Sequence, residues 1–320
     1  MGRRSLPVEE LFEHARAGDR TALAQLLSSV ERGGEDARAV GRLASPLGGH
    51  AYTVGITGSP GAGKSTLTSA TIGHLRGQGI EVAVLAIDPS SPYTGGAILG
   101  DRVRMQDHAT DPGVFIRSMA TRGHLGGLSL TAPEAIRLLD AVGREWVLIE
   151  TVGVGQVEVE IAGTADTTVV VVNPGWGDAV QANKAGLMEI ADIFVINKAD
   201  RAGAAQTRTD LEQMLDLSAL AHDSWRPPIL STVATTGEGV PDLWDAVTAH
   251  RESIAGNGVL AERRASRLSD ELRAIVARRL EQKAREVCGG AAWEDTQADV
   301  IQGRLDPWAA ADRLLQAVRA

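Results

Sequence analysis

The chain has 320 residues, of which 43% are hydrophobic, 23% charged and only 3% aromatic. That predicts one large globular domain with helical additions or a small second domain, and a core of Val, Leu, Ile and Ala. The formal net charge of −9 excludes a general nucleic-acid binder, whose footprint is basic. A single cysteine, Cys288, excludes an intrachain disulfide or a cysteine-built metal cluster and reads as a packing side chain. The first residues carry two arginines but no apolar stretch after them, and Leu6 stands where a myristoylation signal has Ser or Thr. With no apolar run of membrane-spanning length, a cytoplasmic protein without a membrane partner is expected.

Residues 7–43 read as helices, with apolar residues at three- and four-residue spacings and stops at Gly18 and Gly33–Gly34. "SPLGGH" (45–50) is a turn-rich boundary. "AYTVGIT" then reads as a strand, followed by a glycine-rich loop and a helix to about Arg76. "EVAVLAID" and "WVLIET" read as strands on either side of the helix "APEAIRLLDAVG". "TTVVVVN", "DIFVINK" and "PPILSTVA" are further strands, with "QANKAGLMEIA" and one more helix between them. These strands are continuous apolar runs, the pattern of a parallel sheet covered by helices on both faces. From about 241 the pattern is helical to the end. The expected organisation is an N-terminal helical extension (1–48), an α/β nucleotide-binding domain (49–255) and a C-terminal helical extension (256–320) suited to oligomer contact. The basic run Arg263, Arg264 and Arg267 is expected on the solvated face of a helix.

"GSPGAGKST" fits G-x-x-x-x-G-K-[ST] between a strand and a helix, so Gly58, Ser59, Pro60, Gly61, Ala62, Gly63, Lys64, Ser65 and Thr66 form a phosphate loop. Its glycines let the backbone turn tightly around phosphate, Lys64 supplies a point charge to the β- and γ-phosphates, and the Ser65 hydroxyl is placed for Mg²⁺. "INKAD" ends a strand with Asn197, Lys198 and Asp200. A carboxylate at Asp200 accepts both the N1–H and the N2–H of guanine, whereas adenine would leave it unpaired. Val233, Ala234 and Thr235 follow the next strand and place their backbone near the guanine carbonyl. The nucleotide is read as GTP or GDP.

In "LIETVGVGQVE", Glu150 stands where most such GTPases place their Mg²⁺-side Asp, and Gly153 where a backbone N–H senses the γ-phosphate. Val154 replaces the water-orienting Gln of small signalling GTPases, so intrinsic hydrolysis should be slow until a partner completes the site. Asp88, at a strand C-terminus, and Asp101, in a glycine-rich segment, are candidates for Mg²⁺ or for positioning water; Asp101 reads equally well as a helix N-cap. Trp176 is either a partner anchor or a cap on the domain's own edge, and Lys184 either part of a switch or a solvated lysine. His124 lies in a glycine-rich loop with no second metal ligand at suitable spacing.

Together "GSPGAGKST", "AIDPSSPYTGGAILGDRVRM", "RGHLGGLS", "ETVGVGQVE", "GLMEIADIFVINKAD" and "DPWAAADRLL" resemble the ArgK/MeaB GTPases, the methylmalonyl-CoA mutase-associated chaperones of the methylmalonic aciduria type A family. The resemblance spans nearly the whole chain. It departs in "NPGWGDAVQANKAG", where Ala185 follows Lys184 instead of a second lysine. The resemblance implies a Rossmann-like GTPase domain of the signal-recognition/MinD class and a homodimer built from the helical extensions. It also implies GTP-gated assistance to an adenosylcobalamin-dependent acyl-CoA mutase that in turn stimulates hydrolysis. Residues 58–66 would bind phosphates, and Asp200 with Val233–Thr235 guanine. Lys64, Asp88, Glu150 and Gly153 would act in hydrolysis, with Ser65, Asp88, Asp101 and Glu150 around Mg²⁺. Two other classes stand beside this reading. A transport-system kinase would need a second substrate site and a base, and a nickel-delivery GTPase a His- or Cys-rich cluster.

Overall fold

A computed structural model describes residues 6–89, 106–121, 127–151, 163–175, 189–217, 225–287 and 291–319. Among them, one parallel sheet holds β1 (Tyr52–Gly58), β2 (Val82–Pro89), β3 (Val114–Thr121), β4 (Trp146–Thr151), β5 (Thr167–Val172), β6 (Ile193–Asn197) and β7 (Ile229–Thr232). The strand order is β3-β2-β4-β1-β5-β6-β7. Every residue of β1, β4, β5 and β6 is buried, because alternate side chains enter separate cores on the two faces. Ala83, Leu85, Ile87, Val147 and Ile149 face one core, shared with Leu11, Phe12, Leu23, Leu26, Leu27, Val30 and Leu138. Val82, Val84, Ala86 and Leu148 face the other, with Leu67, Ile72, Leu243 and Val247.

The first of these cores is roofed by α1 (Val8–Arg16), α2 (Arg20–Arg32), α3 (Gly34–Ala44) and α5 (Gly127–Ala141), the second by α4 (Lys64–Gly77) and α7 (Val240–Gly256). α6 (Ala204–Leu217) covers β5 and β6 through Leu211 and Leu215. Asp19 caps α2 by accepting from the backbone of Thr21 and Ala22. The glycine pair ends α2 as expected, with Gly33 as its C-cap, and it is also a corner: Gly33 and Gly34 both have positive φ, and α3 begins at once. β3 was not anticipated from the apolar pattern. Arg117 and Ser118 interrupt its apolar run, and Arg117 is accommodated only because Glu31 of α2 takes it bidentately at 2.6 and 3.0 Å, with Ser28 at 3.0 Å.

By density of contacts the chain divides into Met1–Arg267 and Leu268–Ala320. The second unit holds α8 (Val259–Val287) from Leu268 onward, α9 (Ala291–Ile301) and α10 (Pro307–Arg319). There Asp299 pairs with Arg304 at 2.6 Å and Arg313 at 3.2 Å. Leu268, Leu272, Val276 and Leu280 are all exposed along α8.

The basic run at the start of α8 is not merely solvated: its arginines keep partial contact with solvent but are paired to buried acids. Arg264 donates to Asp166 at 2.7 Å and to the carbonyls of Ala51 (2.7 Å) and Gly49 (2.8 Å). Arg267 also pairs with Asp166 and reaches the Thr164 carbonyl at 2.8 Å, and Arg263 holds Asp192 at 3.1 Å. The spacing of charges did not reveal this, because both acids stand just before strands β5 and β6, far away in sequence. Burial pushes the Asp166 carboxyl up, but Arg264 and Arg267 outweigh it and hold it below the usual carboxylate range. His250 and Arg263 do the same for buried Asp192. Beside them the Tyr52 hydroxyl bonds Thr167, whose hydroxyl meets His250 Nδ1 at 2.8 Å, and burial pushes the Tyr52 phenol up to about 12.

Both carboxyls are depressed by folding, so the stability they contribute is complete above about pH 4 and is lost as pH falls through their lowered folded-state values. Asp166→Asn should cost about 3 kcal/mol in urea unfolding at pH 7, the low end for a broken buried pair because the arginines left behind reach solvent. It should also flatten the loss of stability below about pH 4. An unchanged acid profile would show that this anchor contributes nothing.

Candidate functional site

The site is built where β1, β4, β5 and β6 end at the carboxyl edge of the sheet, the edge at which parallel α/β folds bind ligands. β1 closes with Gly58, at φ +127, where a Cβ would stand 2.0 Å from the Val171 carbonyl oxygen. No side chain fits there, so the loop leaves the strand pressed against β5. Ser59 N–H donates to that same carbonyl at 3.2 Å and Ala62 N–H to Ser59 O at 3.1 Å, which curls the loop. Pro60 and Gly61 form its exposed rim. α4 starts at Lys64, bringing its positive end to the loop. Lys64 and Ser65 are buried, Thr66 half-buried, and the Lys64 ammonium donates to Gly58 O at 2.7 Å and Ser59 O at 3.1 Å.

Asn197 joins this loop to the second half of the site. Its Nδ2 donates to Ala62 O at 2.8 Å, while Oδ1 accepts from Thr232 Oγ1 and from Ala234 N–H, each at 3.1 Å. A carbonyl on one side and two donors on the other fix the orientation of the amide. Gly63, at φ +90, must lack a side chain because its Cβ would lie 2.5 Å from Asn197 Nδ2. Lys198, the described non-glycine residue with positive φ (+60), donates from Nζ to Gly61 O at 2.6 Å. Ala199 N–H bonds Thr232 O at 3.0 Å, and the turn delivers Asp200 exposed. Val233 N–H and Glu238 O close a small loop at 3.0 Å, with Ala234 buried and Thr235 exposed. The phosphate loop, Asn197–Asp200 and Val233–Thr235 are therefore one hydrogen-bonded assembly.

Glu150 is fully buried near the end of β4, between Ile56 of β1 and Ala86 of β2 in register. Asp88 lies two residues beyond Ala86 on β2, opposite Ala120; its side chain lies outside the described residues, as do Asp101, Gly153, Val154, His124, Trp176, Lys184 and Cys288. Among the described residues no group of three or more His, Cys, Asp or Glu side chains gathers, and no helix is long and apolar enough to cross a membrane. Sequence reasoning passed over Thr232, which orients Asn197, and Thr57 and Thr151, whose buried hydroxyls meet at 3.1 Å just before the loop. The available signal was a hydroxyl residue at or next to the end of each of three strands.

The family described as methylmalonyl Co-A mutase-associated GTPase MeaB matches residues 23–288. A protein of Pyrococcus horikoshii named as a GTPase is 50% identical over 314 residues, 98% of each chain. GTPase ArgK of Escherichia coli is 38% identical over 271 residues, 82% of each chain. The mouse mitochondrial methylmalonic aciduria type A homolog is 38% identical over 216 residues, 67% of this chain and 52% of that protein. The crystal structure of a LAO/AO transport system kinase superposes with a TM-score of 0.72 at 26% identity, covering 100% of both chains.

Asn197→Ala would leave Ala62 O, the Thr232 hydroxyl and Ala234 N–H without their partner. Nucleotide affinity should fall by roughly ten- to a hundredfold, about 1.4–2.7 kcal/mol, as part of the loss of these three buried hydrogen bonds is felt at the site. Titration with a fluorescent guanine nucleotide measures it, and wild-type affinity would show that the loop holds its shape without the amide.

Proposed function

The chain belongs to the MeaB family of methylmalonyl-CoA mutase-associated GTPases, and on that premise we propose that it is a cytoplasmic GTP-driven chaperone of an adenosylcobalamin-dependent acyl-CoA mutase. The family description names methylmalonyl-CoA mutase, which makes that enzyme the first partner to test. The observation that carries the nucleotide half is Asn197, whose amide ties the phosphate loop to the Asp200 turn. Phosphate and base are then gripped by parts that hold a fixed distance, as a guanine nucleotide spanning both requires. Lys64 stabilises charge developing on the β- and γ-phosphates, and the start of α4 adds its dipole.

Magnesium fits the residues present. The Ser65 hydroxyl and the Glu150 carboxylate are hard oxygen donors on buried side chains at neighbouring ends of α4 and β4, the donor type this ion selects. Ser65 and Glu150 would hold it, with Asp88 and Asp101. When bound, it would supply positive charge that neutralises the phosphates. Val154, in place of a water-orienting Gln, supports a slow intrinsic rate that a partner completes.

A homodimer is part of the proposal. Leu268, Leu272, Val276 and Leu280 recur every fourth residue on α8 and are exposed in the C-terminal unit, a stripe suited to a second copy of the same helix. Leu272→Glu with Val276→Glu should give a monomer by light scattering.

The deciding experiment measures GTP hydrolysis alone, with ATP in parallel, and with methylmalonyl-CoA mutase. A slow GTP-selective rate, accelerated by the mutase, is expected; a mutase that neither binds nor stimulates in any nucleotide state removes the partner assignment. Asp200→Asn should weaken guanine binding by about a hundredfold and favour xanthine, because the amide NH2 would face the guanine N2–H2 donor, whereas xanthine presents a carbonyl acceptor there. The full-length superposition on a LAO/AO transport system kinase favours a second reading, a transport-system kinase; labelled phosphate transferred from nucleotide to an amino-acid-binding protein would establish it.

A further inference from the structure

Thr57 and Thr151 have a role that the hydrolysis scheme leaves unassigned. Both are fully buried. The Thr151 hydroxyl donates to the Thr57 hydroxyl at 3.1 Å across the junction of β1 and β4. The pair stands one residue past the Ile56–Glu150 register match. Thr57 directly precedes Gly58, whose carbonyl accepts from Lys64. Thr151 directly follows Glu150.

Strand alternation turns successive side chains to opposite faces. Leu148 packs in the core beneath α4, and Ile149 in the core beneath α5. Glu150 thus projects to the α4 face, where Ser65 begins its helix, and Thr151 projects to the other. The β1–β4 ladder ends at the Ile56–Glu150 match, one residue short of the hydroxyl pair, although β5 and β2 still flank the two strand ends. On this side of the sheet, at this level, the hydroxyl contact joins the strand that enters the phosphate loop to the strand that presents Glu150. On the Thr57 face the neighbouring β1 residue is Gly55, so no bulky side chain of that strand fixes the spacing there by packing; Ile56 packs on the opposite face.

We propose that the Thr57–Thr151 hydroxyl pair is a positioning strut that sets the spacing between the Glu150 carboxylate and the Ser65 end of the phosphate loop, and so determines how strongly magnesium and a guanosine triphosphate reinforce one another's binding. The proposal rests on Glu150 lying on the magnesium side of the site. The role assigned to Thr57 and Thr151 is exerted through the residues beside them, Gly58 and Glu150.

The test measures binding of a fluorescent, non-hydrolysable GTP analogue to the full chain, in EDTA and across a magnesium titration. The ratio of the two affinities is the magnesium gain. Thr151→Val keeps the side-chain shape and removes the donor. It should cut the gain by about tenfold, the scale of a sub-ångström misplacement in a preorganised site, with affinity in EDTA within about threefold of wild type. Thr151→Ser, which keeps the hydroxyl, should restore the gain, and Thr57→Val with Thr151→Val should match the single variant. A wild-type gain in Thr151→Val overturns the proposal, as does an equal loss with and without magnesium, which would mark a purely structural contact. Glu150→Gln is run alongside. If it keeps the full magnesium gain, the placement of Glu150 is wrong; if it loses the gain while Thr151→Val does not, only the strut fails.

Discussion

The amide of Asn197 is the constraint on which the site depends. Its Nδ2 reaches forward to the Ala62 carbonyl, and its Oδ1 gathers Thr232 and Ala234. Three loops that leave three different strands are thereby held in one arrangement. Each loop alone would sample many conformations at about 1–2 kcal/mol of backbone entropy per residue ordered. A buried side chain satisfied at both ends fixes them together at the cost of one residue. Gly63 exists in its form because any Cβ would collide with that amide, so the loop's glycine and the brace are two halves of one requirement.

The two ends of the sheet have opposite characters. At the carboxyl edge, backbone N–H groups, a helix N-terminus and Lys64 present positive charge toward an anion. At the other end, Asp166 and Asp192 are buried negative charges, each answered by arginines from the root of α8. Those guanidiniums also satisfy the carbonyls of Gly49, Ala51 and Thr164, groups left over where connections enter the sheet. The helix that leads into the C-terminal unit is therefore rooted in the sheet by ion pairs.

How much of this was legible in the sequence depended on whether the signal was local. The continuous apolar runs and the phosphate loop's glycines are local, and β1, β4, β5, β6 and the loop followed from them. The Asn197–Asp200 turn could be placed at a strand end for the same reason. β3 could not, since its polar residues make sense only against Glu31 and Ser28 of a helix some ninety residues away in sequence. The arginines of α8 misled for the same cause: a basic run reads as solvated unless its buried acids are known. That Thr57 and Thr151 meet was not legible, because a hydroxyl pair across strands depends on a register that only the folded sheet supplies.

The N-terminal bundle has a consequence for how the chain is cut. Phe12, Leu23, Leu26, Leu27 and Val30 cover, together with α5, the β2–β3–β4 part of one face of the sheet, and Glu31 neutralises the edge-strand arginine. Trimming the polypeptide to the segment that begins at β1 would keep every residue of the nucleotide site while baring a wide greasy plane next to an open strand edge. Such a fragment would associate with its own kind long before it could be assayed. The bundle is thus the part that keeps the catalytic machinery a discrete, monodisperse object.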